Sequence, residues 1–216
     1  METQYTLKHY LTEDGTDVII EWLRDLDDRQ AVSRIIRRLD RVRFGNFGDH
    51  KPAGEGVWEL REPYGPGYRV YYCFDGNAIV LLLAGGDKGS QAEDIKTARR
   101  RKADYEGGPM TTRRQKRSRS HDAAIEELLR GDPALSAEYL DQSLREGTRE
   151  EMLFAMRRVV RAHGGVAKIA SKTGLNENTL HRTLSSKGNP RLSTLLTICG
   201  AVGMQVSISP AQPLPT

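Results

Sequence analysis

The chain has 216 residues, 38% of them hydrophobic and 29% charged. That is room for two domains of about 100 residues, with the composition of an ordinary globular protein rather than a disordered one. The most apolar stretch, residues 78–84, is strand-sized and well short of the roughly 18 residues of a membrane span, so no membrane is expected among the partners. The net charge of +4 divides unevenly: residues 1–108 hold 17 basic against 19 acidic side chains, and residues 109–216 hold 16 against 10. A net of +6 in one half points to an anionic partner there, with nucleic acid the leading candidate.

In chain order, Tyr5, Leu7 and His9 alternate with polar neighbours as a short strand does. Residues 14–26 then place Val18, Ile19, Trp22, Leu23 and Leu26 on one helical face. A second helix over 28–44 repeats the pattern with Val32, Ile35, Ile36, Leu39 and Val42, and turns Arg34, Arg37, Arg38, Arg41 and Arg43 outward. Such a row suits solvent or an acidic partner better than an active site. Strands are expected at 57–62, 68–74 and 78–85, the last two joined by Asp75-Gly-Asn77, a good hairpin signal. A helix over 90–105 closes this half. The expectation is an α+β domain, two helices packed on an antiparallel sheet, over residues 1–106.

Residues 107–120 are polar, Gly/Pro-punctuated and basic, and read as a flexible linker. Met110 inside it is a place where a separate reading frame could once have begun. Residues 121–216 read as an all-α domain, with helices at 121–130, 133–146, 149–163, 166–172, 177–185 and 191–202; only 205–209 alternates like a strand. The opening residues lack the basic start and apolar core of a signal peptide. Cys73 and Cys199 sit alone in apolar contexts, which suits buried thiols rather than a disulfide. The cytoplasm is the expected compartment.

The pair of short helices around Gly174 has a helix-turn-helix layout. Gly174 ends the first helix and Asn176 is placed to cap the second, which buries Leu180 and Leu184 and leaves Asn178, Thr179, His181 and Arg182 free. Asn and Arg tips can read adenine and guanine edges in a major groove. Lys187 and Arg191 are placed to hold phosphates. The run from Leu184 through Lys187-Gly-Asn-Pro-Arg191 to Leu196, followed by Ala201-Val-Gly-Met204, resembles the HigA-type addiction-module antidote family, as do Leu140-Asp-Gln-Ser-Leu144 and Gly164-Gly-Val-Ala-Lys168. The likeness covers about 120–209. It implies binding to operator DNA by a dimer or higher assembly, and neutralisation of a toxin through residues 121–163.

In the first half, Trp58-Glu-Leu-Arg61, Tyr64-Gly-Pro-Gly-Tyr-Arg69-Val-Tyr-Tyr72 and Leu81-Leu-Leu-Ala-Gly-Gly-Asp-Lys88 resemble the HigB branch of the RelE/ParE toxin superfamily, over roughly 4–105. The likeness implies ribosome-dependent cleavage of mRNA. RNA carries its own 2′-hydroxyl nucleophile, so the protein must align it and stabilise charge on the scissile phosphate. Arginine does this without metal or cofactor, and neither is expected. Arg61 and Arg69, on adjacent strands, are the central candidates, with Glu59 or Glu62 as competing ion-pair partners. Lys88 matches a basic position of the family. Lys51 in a loop, Lys96 on the last helix and Tyr68 as a stacking platform are the candidates for holding RNA. The C-terminal catalytic tyrosine of RelE-type members has no counterpart in Gln91-Ala-Glu-Asp-Ile95, and the His-rich pattern of some HigB proteins is missing. The general base stays unassigned, His50 being one candidate. Two other readings stand beside this one: a DNA-binding regulator with an inactive toxin-like half, and a gyrase-directed toxin of the ParE type.

Overall fold

A six-stranded mixed sheet with helices on both faces organises the first half in the computed structural model, which describes residues 4–107 and 117–208. The elements are β1 (Thr6–Tyr10), α1 (Val18–Arg24), α2 (Arg29–Arg43), β2 (His50–Gly54), β3 (Val57–Glu62), β4 (Tyr68–Asp75), β5 (Ile79–Asp87), α3 (Gln91–Glu106) and β6 (Ser118–Ser120). The strand order is β2-β3-β4-β5-β1-β6. Helix α1 starts later than its periodicity suggests because Asp17 caps it, accepting from the amides of Ile19 and Ile20 at 3.2 and 3.1 Å. Asp28 caps α2 in the same way.

Three features depart from a two-helix antiparallel arrangement. Strand β1 runs parallel to β5, with Leu7 opposite Val80; alternation marks a strand but carries no information about its direction. Lys51, expected in a loop over 49–52, lies instead in edge strand β2, where Pro52 is tolerated because its missing N–H faces away from the ladder. Helix α3 covers the sheet face opposite α1 and α2, and Gly85 and Gly86 show why. A Cβ on Gly85 would meet the Trp22 ring at 2.0 Å, and one on Gly86 would meet Asp94 Oδ2 at 1.9 Å. These adjacent glycines let a helix approach from each side.

The second half contains α4 (His121–Gly131), α5 (Pro133–Glu146), α6 (Arg149–Ala162), α7 (Gly165–Thr173), α8 (Glu177–Thr183) and α9 (Leu192–Ala201). Of the expected linker, Ser118–Ser120 are instead β6, paired antiparallel with β1 and closing that sheet edge. The expected strand at 205–209 does not form over 205–208, and Ser209 lies outside the described residues; a strand needs a neighbouring strand for its backbone groups. Cys73 and Cys199 are buried free thiols. Buried apolar residues from Leu7 to Val202 form one cluster that draws on both halves. No helix among the described residues is long and apolar enough to cross a membrane.

Candidate functional site

Strand register decides which side chains of the first half meet. Lys51, Glu59 and Tyr71 lie in one row across β2, β3 and β4, and Arg61 and Arg69 face each other in the next. Glu59 is fully buried among them. Its Oε1 accepts from Arg61 Nε at 2.8 Å and Arg69 Nε at 3.0 Å, and its Oε2 from Gln91 Nε2 of α3 at 2.9 Å. Burial works to raise the Glu59 pKa, but the bonds from Arg61, Gln91 and Arg69 hold it below the usual carboxylate range. One carboxylate thus orients two guanidiniums through their Nε atoms. Of the Nη groups, Arg69 Nη1 donates to the Gly67 carbonyl at 3.0 Å, and Arg61 Nη1 lies 3.8 Å from Asp49. The cluster sets Arg61, Arg69 and the exposed Lys51 against the buried Glu59 and the exposed Asp49. Guanidinium forks can pair with the oxygens of an anion.

The other candidates of this half scatter. Lys88 is exposed in the turn after β5, and Lys96 is exposed on α3 and paired with Glu93 at 2.7 Å. Tyr68, expected to stack on bases, is buried on the opposite face with its ring 6.4 Å from that of Trp22. The physical reason is alternation: Tyr68 stands one residue from Arg69 and points the other way. His50 also faces away from the arginines. It sits in β2, bonds Tyr72 Oη through Nδ1 at 2.9 Å and stacks between Phe47 and Trp58. Sequence reasoning missed Gln91 and Asp94. Burial raises the Asp94 pKa, against a hydrogen bond from Ser90 Oγ at 2.5 Å. Only the resemblance to a catalytic-tyrosine segment drew attention to residues 91–95. Among the described residues no group of three or more His, Cys, Asp or Glu side chains could hold a metal.

In the second half, Gly174 takes φ +70° and Asn176 Oδ1 accepts from the Thr179 amide at 3.1 Å, so α7 and α8 meet across a three-residue turn. Leu180 and Leu184 are buried. Asn176, Asn178, Thr179, His181, Arg182, Lys187 and Arg191 are all exposed, and His181 lies 3.7 Å from Glu177. Arg182, Lys187 and Arg191 line an open cleft of about 580 Å³ with Gly188 at its edge. A Cβ on Gly188 would meet the Thr183 carbonyl at 1.9 Å, so only glycine lets the chain turn this tightly beneath α8.

The halves meet through charges. Buried Asp40 of α2 accepts from Tyr139 Oη at 2.6 Å and lies 2.8 Å from Arg158 Nη2. His9 bonds Asp17 at 3.0 Å and lies 2.8 Å from His121. Burial pushes His121 down to about 4. Ser33 Oγ donates to Gln142 Oε1 at 2.9 Å, and Phe44 packs edge-on against Phe154 at 5.5 Å.

Comparison with known proteins agrees with this division. Residues 21–103 match the family described as phage derived protein Gp49-like, and residues 121–210 match the family described as probable addiction module antidote protein. The chain therefore belongs to the toxin–antitoxin class, joining a Gp49-like, RelE-related toxin domain to an addiction-module antidote domain. An uncharacterized protein of Haemophilus influenzae is 46% identical over 78 residues, 36% of this chain and 79% of that protein. No solved structure matches the chain.

Proposed function

We propose that the toxin half is a metal-independent, ribosome-dependent mRNA endonuclease, held inactive by an antidote half that binds operator DNA. The observation that carries this reading is the pair Arg61 and Arg69, turned by one buried Glu59. Two guanidiniums on adjacent strands suit a scissile phosphate and the charge that grows on it when the 2′-hydroxyl attacks. Lys51 adds to the local potential, and Lys88 and Lys96 stand at the margin. The exposed tips on α8, with Lys187 and Arg191 beyond it, support major-groove reading by the antidote half, two copies serving two half-sites.

The test is mRNA integrity and translation in cells making residues 1–108, with and without residues 117–216 supplied separately, beside Arg69→Gln. The expected result is growth arrest with mRNA cut on ribosomes, lost in Arg69→Gln and in the presence of the antidote half. Intact mRNA from a half shown by circular dichroism to be folded would leave the second reading, a DNA-binding regulator with an inactive toxin fold. The buried Glu59 that offsets the arginine charge favours that alternative. Altered DNA supercoiling with intact mRNA would point instead to a gyrase-directed toxin.

A further inference from the structure

Helix α2 is the most polarised element of the toxin half. It carries Arg29, Arg34, Arg37, Arg38, Arg41 and Arg43 against the single acid Asp40, while the rest of residues 1–108 hold 11 basic and 18 acidic side chains. Five of these six arginines meet carboxylates of the antidote half. Arg29 lies 2.8 Å from Asp132, Arg34 and Arg37 share Glu146 at 2.8 and 2.9 Å, Arg41 lies 2.7 Å from Glu151 and Arg43 lies 2.5 Å from Asp122. Arg24, at the end of α1, adds a looser pair with Glu127 at 3.7 Å. Arg38 alone turns to its own half, donating to the Asp49 carbonyl at 3.2 Å. Residues 121–216 hold 11 basic and ten acidic side chains, and five of the ten acids are committed to the arginines of α1 and α2.

The Arg61–Arg69 pair lies on the other face of the sheet, under α3. Among the described residues, none of the hydrogen bonds and ion pairs of Glu59, Arg61 and Arg69 reaches the antidote half. If the toxin half acts on RNA, the described antidote residues hold it by other side chains than that pair.

We infer that the arginine face of α1 and α2 is the surface by which the toxin half docks on folded RNA, and that the antidote half occupies it with carboxylates in place of phosphates. The inference rests on the RNA-directed reading of the toxin half. Its geometry is that of an arginine stripe about 20 Å long on a 15-residue helix. A guanidinium fork accepts carboxylate and phosphate oxygens alike, so the same side chains serve either partner. Folded RNA is recognised largely through shape and phosphates, which needs such a stripe and no base-reading groups. The antidote then blocks docking by occupying these arginines.

The test uses the full chain in a background of Arg182→Ala/Lys187→Ala, so that the α8 face contributes less to binding. The probes are a 20-base-pair RNA duplex and purified ribosomes, with a DNA duplex of equal length beside them. Glu146→Gln/Glu151→Gln is expected to tighten RNA binding about tenfold at low salt, with a steeper fall as salt rises because more phosphates are neutralised. Tyr139→Ala, which opens the contact by packing rather than charge, should give the same gain. Adding Arg34→Gln/Arg41→Gln should remove it, and the charge-matched control Asp141→Asn/Glu150→Gln should show none. The idea is overturned if neither opening variant tightens RNA binding, if the gain survives loss of the two arginines, or if the control or the DNA duplex gains equally. None of these readouts requires the RNA to be cut. A failure here is therefore separable from a failure of the endonuclease reading, which Arg69→Gln tests by mRNA integrity.

Discussion

The molecule holds two buried charge clusters, and they are satisfied in opposite ways. Around Asp40, a carboxylate at 9% exposure meets an arginine at 2%, a tyrosine hydroxyl and a neighbouring imidazole, all supplied by the antidote half. Around Glu59, the carboxylate is equally buried, but its two arginines keep side-chain exposures of 31% and 11%, and the second carboxylate near them, Asp49, is itself exposed. The first cluster is enclosed by the protein, Asp40 Oδ1 being ion-paired to Arg158 while His121 Nε2 and Arg158 Nη1 are buried without a hydrogen-bond partner among the described residues. The second remains open to an anion. Buried charge alone therefore does not mark a functional site; the sign and accessibility of what is left over do.

The contrast can be broken most strongly from the closed side. Arg158→Ala should cost about 3–5 kcal/mol in chemical denaturation, because it strands Asp40 without its partner in a dry interface. A loss below 1 kcal/mol would mean the pair is solvated. Next in size is the pH response of His121. Its folded value of about 4 lies below the ordinary 6.5, so the unfolded chain takes up a proton first as pH falls. Stability is thus fully present above pH 6.5 and lost on descending to about 4, by on the order of 3 kcal/mol. Denaturation midpoints between pH 7 and 4.5 should show this decline, and His121→Phe should flatten it. Tyr139→Phe should cost about 1.5–3 kcal/mol, the usual range for a hydrogen bond to a charged group.

On the open side the effects are smaller. Glu59→Gln should cost no more than about 1.5 kcal/mol, since both guanidiniums keep access to water. It should lower cleavage if Glu59 sets the guanidinium orientation. A stability loss as large as that of Arg158→Ala would erase the distinction between the clusters. Glu146→Gln should be smallest, at about 1 kcal/mol or less, because the Glu146 carboxylate is itself 43% exposed, although one of its partners, Arg37, is buried.

Much of the local structure was legible beforehand. Helix α2, strands β3 to β5, the cap at Asn176 and the glycine at 174 follow from periodicity and turn chemistry acting within a few residues. Arg61 and Arg69 were legible as a pair because they flank one hairpin. Gln91 and Asp94 were not, since their place beside Glu59 and Gly86 depends on α3 folding back over the sheet from a later part of the chain. Tyr68 was misplaced for a simpler reason: its neighbours Arg69 and Tyr71 look equally plausible in a list, and only the face assigned by pairing separates them.

The amino-acid sequence by itself determined the two halves, their element types, the basic excess of the second half and the arginine row of α2. Composition and short-range periodicity encode these properties directly. Tertiary structure alone decided that β1 runs parallel to β5, that Ser118–Ser120 close the sheet edge, and that the arginine row meets four antidote carboxylates instead of water. Each of these depends on contacts between residues dozens of positions apart. Local spacing shows which face of a helix is charged, whereas the partner of that face is set by long-range packing.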